Sequence, residues 1–183
     1  MTVDTMALLN TYFDAEGVKI VAVHSRFVAD LALSVGRVLA LPDDELLFLE
    51  EASMLHDIGV CRVHAPGIGM HGAAPYITHG IIGREILEQE GLPRHALVCE
   101  RHIGVGLTVE DIVSQNLPLP HRDMTPQTVA EEIICFSDLF FSKTPGKLSH
   151  RKTPERVRDK LAGFGAGKAL IFDAWLLRFK AAL

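Results

Sequence analysis

The sequence lacks the features that would place the protein in a membrane, in a secretory pathway or on a nucleic acid. No apolar run approaches the roughly 20 residues that span a bilayer. The N-terminus has no basic segment followed by an apolar one, as a secretory signal would. The net charge is −5 and no run of five like charges occurs, which argues against binding through phosphate neutralisation. We therefore expect a soluble cytoplasmic protein without a membrane or nucleic-acid partner.

Cysteine is also scarce. The three cysteines, Cys61, Cys99 and Cys135, are odd in number and far apart, and we interpret them as reduced thiols. Hydrophobic residues make up 48% of the chain, an ordinary share for a globular protein. The length of 183 residues suffices for one domain with a real core but not for two full domains.

Apolar residues recur at helical spacing along most of the chain. The clearest case runs from Val18 to about Ala40, where Val21, Val28 and Leu31 share one stripe. No alternating pattern typical of a strand is found, so the sequence predicts a single all-α domain over residues 1–183. The predicted helices cover about 4–16, 18–40, 42–57, 77–91, 93–102, a short segment opening at Thr108, 125–141, a segment opening at Thr153, and 168–180.

A Gly/Pro-rich stretch of about 61–76 is the longest predicted loop. Loops of this length inside a compact domain are usually functional or mobile. Two interpretations stay open at this point: a lid over a functional site, or a tolerated insertion.

Histidine is the one residue type that is unusually frequent, with nine copies. Five of them lie in polar or Gly/Pro-rich settings and are interpreted as surface residues: His64, His71, His95, His121 and His150. The other four fall on inward faces of separate predicted helices, as do two aspartates. These six are the candidate metal ligands: His24, His56, Asp57, His79, His102 and Asp138.

A shared metal explains these residues better than separate core positions do. A lone histidine on an apolar face is more often an ordinary core residue than a ligand, but a carboxylate is rarely buried without a partner. One cation would compensate all of the buried imidazoles and carboxylates together. His56 and Asp57 follow an apolar helical segment directly, and Gly59 is expected to end that helix in the left-handed conformation.

This pattern resembles the HD-domain superfamily of metal-dependent phosphohydrolases, which is defined by the motif H…HD…D. His24 matches the first histidine, His56-Asp57 the central pair and Asp138 the final aspartate. The likeness is of the HDIG type and implies an HD-domain helical bundle.

Two further histidines, His79 and His102, match the longer motif of two-metal members, such as the diadenosine-tetraphosphate hydrolases and the cyclic-di-GMP phosphodiesterases. The chain is most similar to small uncharacterised members, which share the string from Arg101 to Thr108 and the block 126–143. The resemblance implies a core of about 18–146 followed by a C-terminal helical extension, 147–183.

The sequence departs from many relatives in the residue that would hold a phosphate. Those relatives carry a lysine or arginine after His-Asp-x-Gly, where this chain has Val60. No Gly-Tyr-Pro follows, which argues against the cyclic-di-GMP subgroup. The candidate substrate-binding cations are instead Lys143, Arg101, Arg62 and Arg122, and Lys143 is favoured because it follows Asp138 closely. A basic run after Gly146 is interpreted as a solvated helix face rather than a binding patch.

The resemblance implies hydrolysis of a phosphomonoester, a nucleotide phosphoanhydride or a phosphodiester by a metal-activated water. One ion would bind His24, His56, Asp57 and Asp138, and a second would bind His79 and His102, with the catalytic Asp57 between the two. Mixed imidazole and carboxylate ligands suit Fe, Mn, Co or Zn. We expect a small phosphorylated, nucleotide-like substrate and leave a homodimer open.

Two other functions are kept as alternatives. One is a mixed-valent di-iron oxygenase of the same fold, because its ligand set is nearly the same. The other is a non-catalytic, nucleotide-sensing HD domain, although such a role usually goes with the loss of a ligand and none is missing here.

Overall fold

The longest helix, Ala15–Val38, is the element against which the helices Thr5–Tyr12, Asp43–Leu55 and Val129–Leu139 pack. In the computed structural model, which describes residues 2–183, the all-α prediction is confirmed. The helices are α1 (Thr5–Tyr12), α2 (Ala15–Val38), α3 (Asp43–Leu55), α4 (His79–Gln89), α5 (Pro93–Arg101), α6 (Val109–Ser114), α7 (Val129–Leu139), α8 (Pro154–Ala162) and α9 (Ala166–Phe179). Short 3₁₀ segments cover Ile58–Arg62, Pro66–Ile68, Tyr76–Thr78 and Lys180–Ala182.

The start of α2 differs from the prediction. The Asp14 side chain accepts a hydrogen bond from the backbone N–H of Gly17 at 2.7 Å and so caps a new helix. Helix α1 therefore ends at Tyr12, and Gly17 lies in the first turn of α2 rather than closing a helix that runs to residue 16.

The predicted loop 61–76 contains a small hairpin. Strands β1 (His64–Ala65) and β2 (Met70–His71) are antiparallel, with His64 opposite His71 and Ala65 opposite Met70. The expectation of no strand was wrong here because a two-residue strand is too short to show an alternating pattern.

Helix α7 begins later than expected. Thr128, not Thr125, is the N-cap, and its hydroxyl accepts from the backbone N–H of Glu131 at 3.2 Å. Thr125 and Pro126 pack against Gly106 instead: a Cβ at that glycine would lie 2.7 Å from Thr125 Cα and 2.9 Å from Pro126 Cδ.

The C-terminal helices share a hydrophobic core with the helix that carries Asp138. The Phe136 ring of α7 lies 5.7 Å from the ring of Phe172 and 5.2 Å from that of Phe179, both buried on α9. Each buried phenylalanine contributes about 1.5–3 kcal/mol. The division into a core of 18–146 and an extension of 147–183 stays a prediction, but α9 packs against α7 directly.

Gly59 is required for a close approach of two backbones, not for a left-handed turn. It lies within the 3₁₀ segment after Asp57 and has no positive φ. A Cβ there would lie 2.0 Å from the carbonyl oxygen of His79 and 2.4 Å from the N of Gly83. The absence of a side chain therefore lets α4 approach, which brings His79 to Asp57.

No helix among residues 2–183 combines the length and apolar character that crossing a bilayer requires.

The substitution Gly59→Ala is expected to destabilise the protein by about 3 kcal/mol, because the new methyl group would overlap backbone atoms that cannot turn away. For a chain of this size, that loss corresponds to an unfolding midpoint about 6–12 °C lower. Gly67→Ala is the control, since a Cβ there meets no atom within 4 Å. Equal midpoints for the two variants in thermal unfolding would contradict the role given to Gly59.

Candidate metal centre

The Asp57 carboxylate lies at the centre of the histidine cluster and is completely buried. Its Oδ2 faces one pair of imidazoles, 3.3 Å from His24 Nε2 and 3.1 Å from His56 Nε2. Its Oδ1 faces the other pair, with His79 Nε2 and His102 Nε2 each 3.5 Å away. One carboxylate is thus shared between two sets of histidines.

Asp138, on α7, completes the first set. Its Oδ1 lies 2.9 Å from His24 Nε2 and 3.5 Å from His56 Nε2. Two groups of potential ligand atoms result, each with all atoms within 4.8 Å of one another: His24, His56, Asp57 and Asp138 in one, and Asp57, His79 and His102 in the other. The structure therefore brings together all six residues that the sequence analysis selected, in the expected grouping.

Backbone carbonyls orient three of the imidazoles. Each Nδ1 lies beside the carbonyl oxygen three residues earlier, at 2.6 Å for His56 and Ser53, 2.7 Å for His79 and Tyr76, and 2.8 Å for His102 and Cys99. The Nδ1–H donates to that carbonyl, so Nε2 is the nitrogen that points into the centre and is available to a metal. His56 and His102 can do this because they terminate α3 and α5, where carbonyls lack helical partners.

The cluster leaves several buried atoms without a hydrogen-bond partner among the described residues. They are both nitrogens of His24, Nε2 of His56 and both carboxylate oxygens of Asp57. His24 Nε2 lies close to Asp138, and Asp57 Oδ2 lies close to Lys143, but these contacts lack hydrogen-bond geometry. Burying such atoms uncompensated is costly, and most buried polar groups are satisfied. A cation would satisfy them together, so the cluster can hold a metal ion, and imidazole with carboxylate suits a divalent transition metal.

The electrostatics hold Asp57 and His79 in the forms that bind metal, but not His56. Burial alone would raise the pKa of Asp57, but His56 and Lys143 hold this pKa well below its usual value. Burial lowers the pKa of His79, and the neighbouring His102 lowers it further, to about 3. For His56, burial is outweighed by Asp57 and Asp138, which raise its pKa to about 10. The metal-free centre thus holds a proton on His56 where a metal would bind.

A cationic side chain also reaches the centre. Lys143, in the turn after α7, places Nζ 2.6 Å from Asp57 Oδ2. Burial would lower its pKa, but the two aspartates Asp57 and Asp138 raise the pKa above its usual value, so the ammonium stays charged.

Comparison with known proteins identifies the family. The model of the HD domain matches residues 21–141, about two thirds of the chain. The chain belongs to the HD domain family.

The relatives with similar sequences are longer proteins, and this chain matches only part of each of them. An uncharacterized protein of Methanocaldococcus jannaschii is 36% identical over 62% of this chain and 59% of its own length. The tRNA (cytidine(56)-2'-O)-methyltransferases of Thermoplasma volcanium and Picrophilus torridus are 29% and 33% identical. The chain spans only 31% and 25% of those two relatives.

Among solved structures, the HD domain of the L. monocytogenes phosphodiesterase PgpH has the same fold. It matches with a TM-score of 0.57 at 17% identity, over 96% of this chain and 88% of that one. The same domain in complex with cyclic-di-AMP matches with a TM-score of 0.54, over 91% of each chain. The predicted HD-domain helical fold is confirmed.

The candidate metal centre of this HD domain opens into a cavity of about 590 Å³. His79, His102, Asp138 and Lys143 lie on its wall. Residues of the hairpin loop, including Gly67 and Ile68, also line it, as do residues of the C-terminal segment. A role of the loop 61–76 as a lid stays a prediction.

The cavity does not include the three arginines that were candidates for substrate binding. Arg101 is paired with Glu131 at 3.0 Å, and Arg122 is paired with Glu100, both buried carboxylates. Arg62 is exposed, at the end of the 3₁₀ segment after Asp57. Of the four predicted cations, the structure places only Lys143 in the cavity.

Cations of the C-terminal segment, which were not predicted from the sequence to bind the substrate, also line the cavity. Lys152 is half-buried and donates to the carbonyl oxygens of Leu139 at 2.9 Å and Phe141 at 2.6 Å. Burial lowers its pKa, which the nearby Lys160 and Lys143 lower further. The basic run after Gly146 was the available signal, and its interpretation as a purely solvated face was wrong for Lys152.

His95 corrects a second expectation. It is 8% exposed, with Nε2 3.3 Å from Glu51 Oε2 and its ring 4.9 Å from that of Phe48. The other four histidines interpreted as surface residues are exposed.

Loading with Mn²⁺ or Zn²⁺ is expected to stabilise the protein, by about 2.7 kcal/mol at a hundredfold excess over the dissociation constant. Metal analysis should find two ions in the wild type, one in His102→Ala and less than one in Asp57→Ala, which interrupts both groups. The exposed His121→Ala serves as the control and should match the wild type. Full occupancy in Asp57→Ala would contradict the shared position of this carboxylate.

Metal affinity is expected to rise with pH. In the metal-free protein the pKa of His56 is about 10, whereas the ordinary pKa of a histidine in an unfolded chain is 6.5. The protonated His56 therefore contributes its full stabilisation of the fold below pH 6.5, and this contribution is lost as the pH rises towards 10. A metal must displace that proton, so the apparent affinity should increase by about tenfold per pH unit between about pH 7 and 8.5. Chelator competition across this range measures the slope; a flat profile would rule out a protonated His56.

Proposed function

We propose that this HD domain hydrolyses a phosphoester or phosphoanhydride bond in a small, nucleotide-like substrate through a metal-activated water. The observation that carries the proposal is the Asp57 carboxylate, which two groups of ligands share and which Lys143 contacts at the wall of the cavity. This arrangement joins a metal site to a cation that can receive a phosphate.

Some residues of the site would hold the metal ions, and others would bind the phosphoryl group. Bound divalent ions supply a water whose pKa is lowered towards about 7 and positive charge for the phosphoryl oxygens. Asp57 stays anionic because His56 and Lys143 lower its pKa, and it links the two groups. The carbonyls that accept from Nδ1 of His79 and His102 fix the direction of these imidazoles, with Nε2 facing the centre.

Lys143 neutralises the negative charge that develops on the phosphoryl oxygens. Its ammonium is already at the centre, only 12% exposed, and its flexible stem allows it to exchange Asp57 Oδ2 for a phosphate oxygen. Of the four cations predicted to bind the substrate, Lys143 is therefore the one that we assign to the phosphoryl group.

The charge of the cavity favours a phosphorylated substrate over the other functions considered. Three lysines besides Lys143 line it: Lys152, Lys160 and Lys168. A di-iron oxygenase would account for the ligands but not for these cations. A sensor role would leave the complete ligand set without a use.

Similar proteins add support only for the substrate class. The PgpH domain binds cyclic-di-AMP in its solved complex, which agrees with a nucleotide-like substrate here. The likeness to tRNA methyltransferases covers too little of those proteins to suggest methyl transfer. The cytoplasmic location and the homodimer stay predictions.

Mn²⁺-loaded protein is expected to release phosphate or a nucleotide from at least one member of a panel of phosphomonoesters, nucleotides and dinucleotides. Lys143→Ala should lower kcat by about 10²–10³, the usual effect of removing a group that stabilises transition-state charge. Lys143→Arg should recover part of it, and Lys147→Ala, the exposed neighbour, should have no effect.

Absence of any turnover with Mn, Co, Fe or Zn would reject the hydrolase. Oxygen uptake by a reduced, iron-loaded sample would then favour the di-iron oxygenase, and nucleotide binding without turnover would favour the sensor.

A further inference from the structure

The C-terminal segment forms a wall of the cavity, although it lies outside the family match at residues 21–141. Val157, Lys160 and Leu161 of α8 line it, and Phe164 follows in the turn between α8 and α9. The family match ends before this wall, so the side chains of the wall are not among the residues on which that match rests.

Lys160 is the cation of this wall that is free to bind a ligand. The Lys152 ammonium is occupied by the carbonyls of Leu139 and Phe141. The Lys168 ammonium is occupied by Asp111 and by the carbonyl of Gly106. Lys160 has neither an ion pair nor a side-chain hydrogen bond with any residue in 2–183.

Phe164 gives the same wall an apolar surface. Its side chain is 59% exposed and lines the cavity, one turn along the chain from Lys160. A large aromatic ring exposed in a concave site marks a place where a ligand can bury it, and a flat ring is the best partner. Tyr76, 39% exposed, lines the cavity as well.

The cavity is large enough for more than a single phosphate. A space of about 590 Å³ falls within the range of sites that hold drug-sized ligands. Lys143 and the metal ligands can engage one phosphoryl group, which leaves Lys160 and Phe164 for the rest of the molecule.

We propose that Lys160 and Phe164 form an outer subsite for the part of the substrate that does not react, with a second phosphate group on Lys160 and an adjoining flat ring against Phe164. The proposal rests on the proposed function, in which the first phosphate lies at the metal centre. The expected substrates are therefore ring-containing compounds with two phosphate groups.

The test compares three kinds of ligand. Adenosine 3′,5′-bisphosphate and ADP carry a ring and two phosphate groups, AMP carries a ring and one phosphate group, and glycerol phosphate carries one phosphate group and no ring. In Mn²⁺-loaded enzyme, Lys160→Ala should raise KM for the two bisphosphorylated compounds by about tenfold while leaving AMP within about twofold. Phe164→Ala should raise KM for AMP but not for glycerol phosphate. Because neither side chain contacts the reacting atoms, kcat should change little.

Matched controls remove the same groups elsewhere on the C-terminal helices. Lys180→Ala removes an exposed lysine and Leu170→Ala a large side chain that is 64% exposed, and neither residue lines the cavity. Both should behave as the wild type, and Lys160→Arg should keep the preference for a second phosphate. Circular dichroism melts verify that each variant is folded.

Equilibrium binding separates this proposal from the hydrolase itself. If turnover occurs but Lys160→Ala affects AMP and the bisphosphorylated compounds equally, the subsite is wrong and the hydrolase stands. If no turnover occurs, titration calorimetry of the same ligands decides: a Lys160-dependent preference for the second phosphate supports the subsite without hydrolysis. Equal affinity for all, or no binding, overturns it.

Discussion

The burial of one carboxylate, Asp57, is the constraint on which the rest of this structure depends. A charge removed from water costs several kcal/mol unless partners replace the lost solvation. Four histidines, a second aspartate and Lys143 surround it. They come from α2, the ends of α3 and α5, the start of α4, and α7 with its following turn. The packing of these helices serves the metal centre as much as the hydrophobic core.

Helix ends do most of the positioning. His56 and His102 terminate α3 and α5, and the carbonyls left free there hold the imidazoles by Nδ1. Gly59 lets α4 approach closely enough for His79 to join them. Three of the six candidate ligands, His56, His79 and His102, are therefore held by backbone atoms before any metal arrives, which is the preorganisation that electrostatic catalysis needs.

Sequence periodicity predicted the helices well because each buries one apolar face, and it selected the candidate ligands because those polar residues were expected on the same faces. The ends of the helices were predicted less well. Thr125, which precedes a proline, and Thr128 are both possible N-caps in the sequence, and only Thr128 caps α7 in the structure. His95 was misjudged because its partner, Glu51, is 44 residues away. The role of Gly59 was misassigned because a close approach leaves no local signal.

By itself the sequence determined an all-α chain and the six candidate ligands that form one cluster, because helical spacing states which face each residue occupies. Only the tertiary structure decided which cations reach that centre. Arg101 and Arg122 are neutralised by glutamates 30 and 22 residues away, whereas α8, after the predicted core, brings Lys160 to the cavity. The helical pattern indicates on which face of its own helix a side chain lies. Which residues this face contacts depends on the packing of elements that are far apart in the chain.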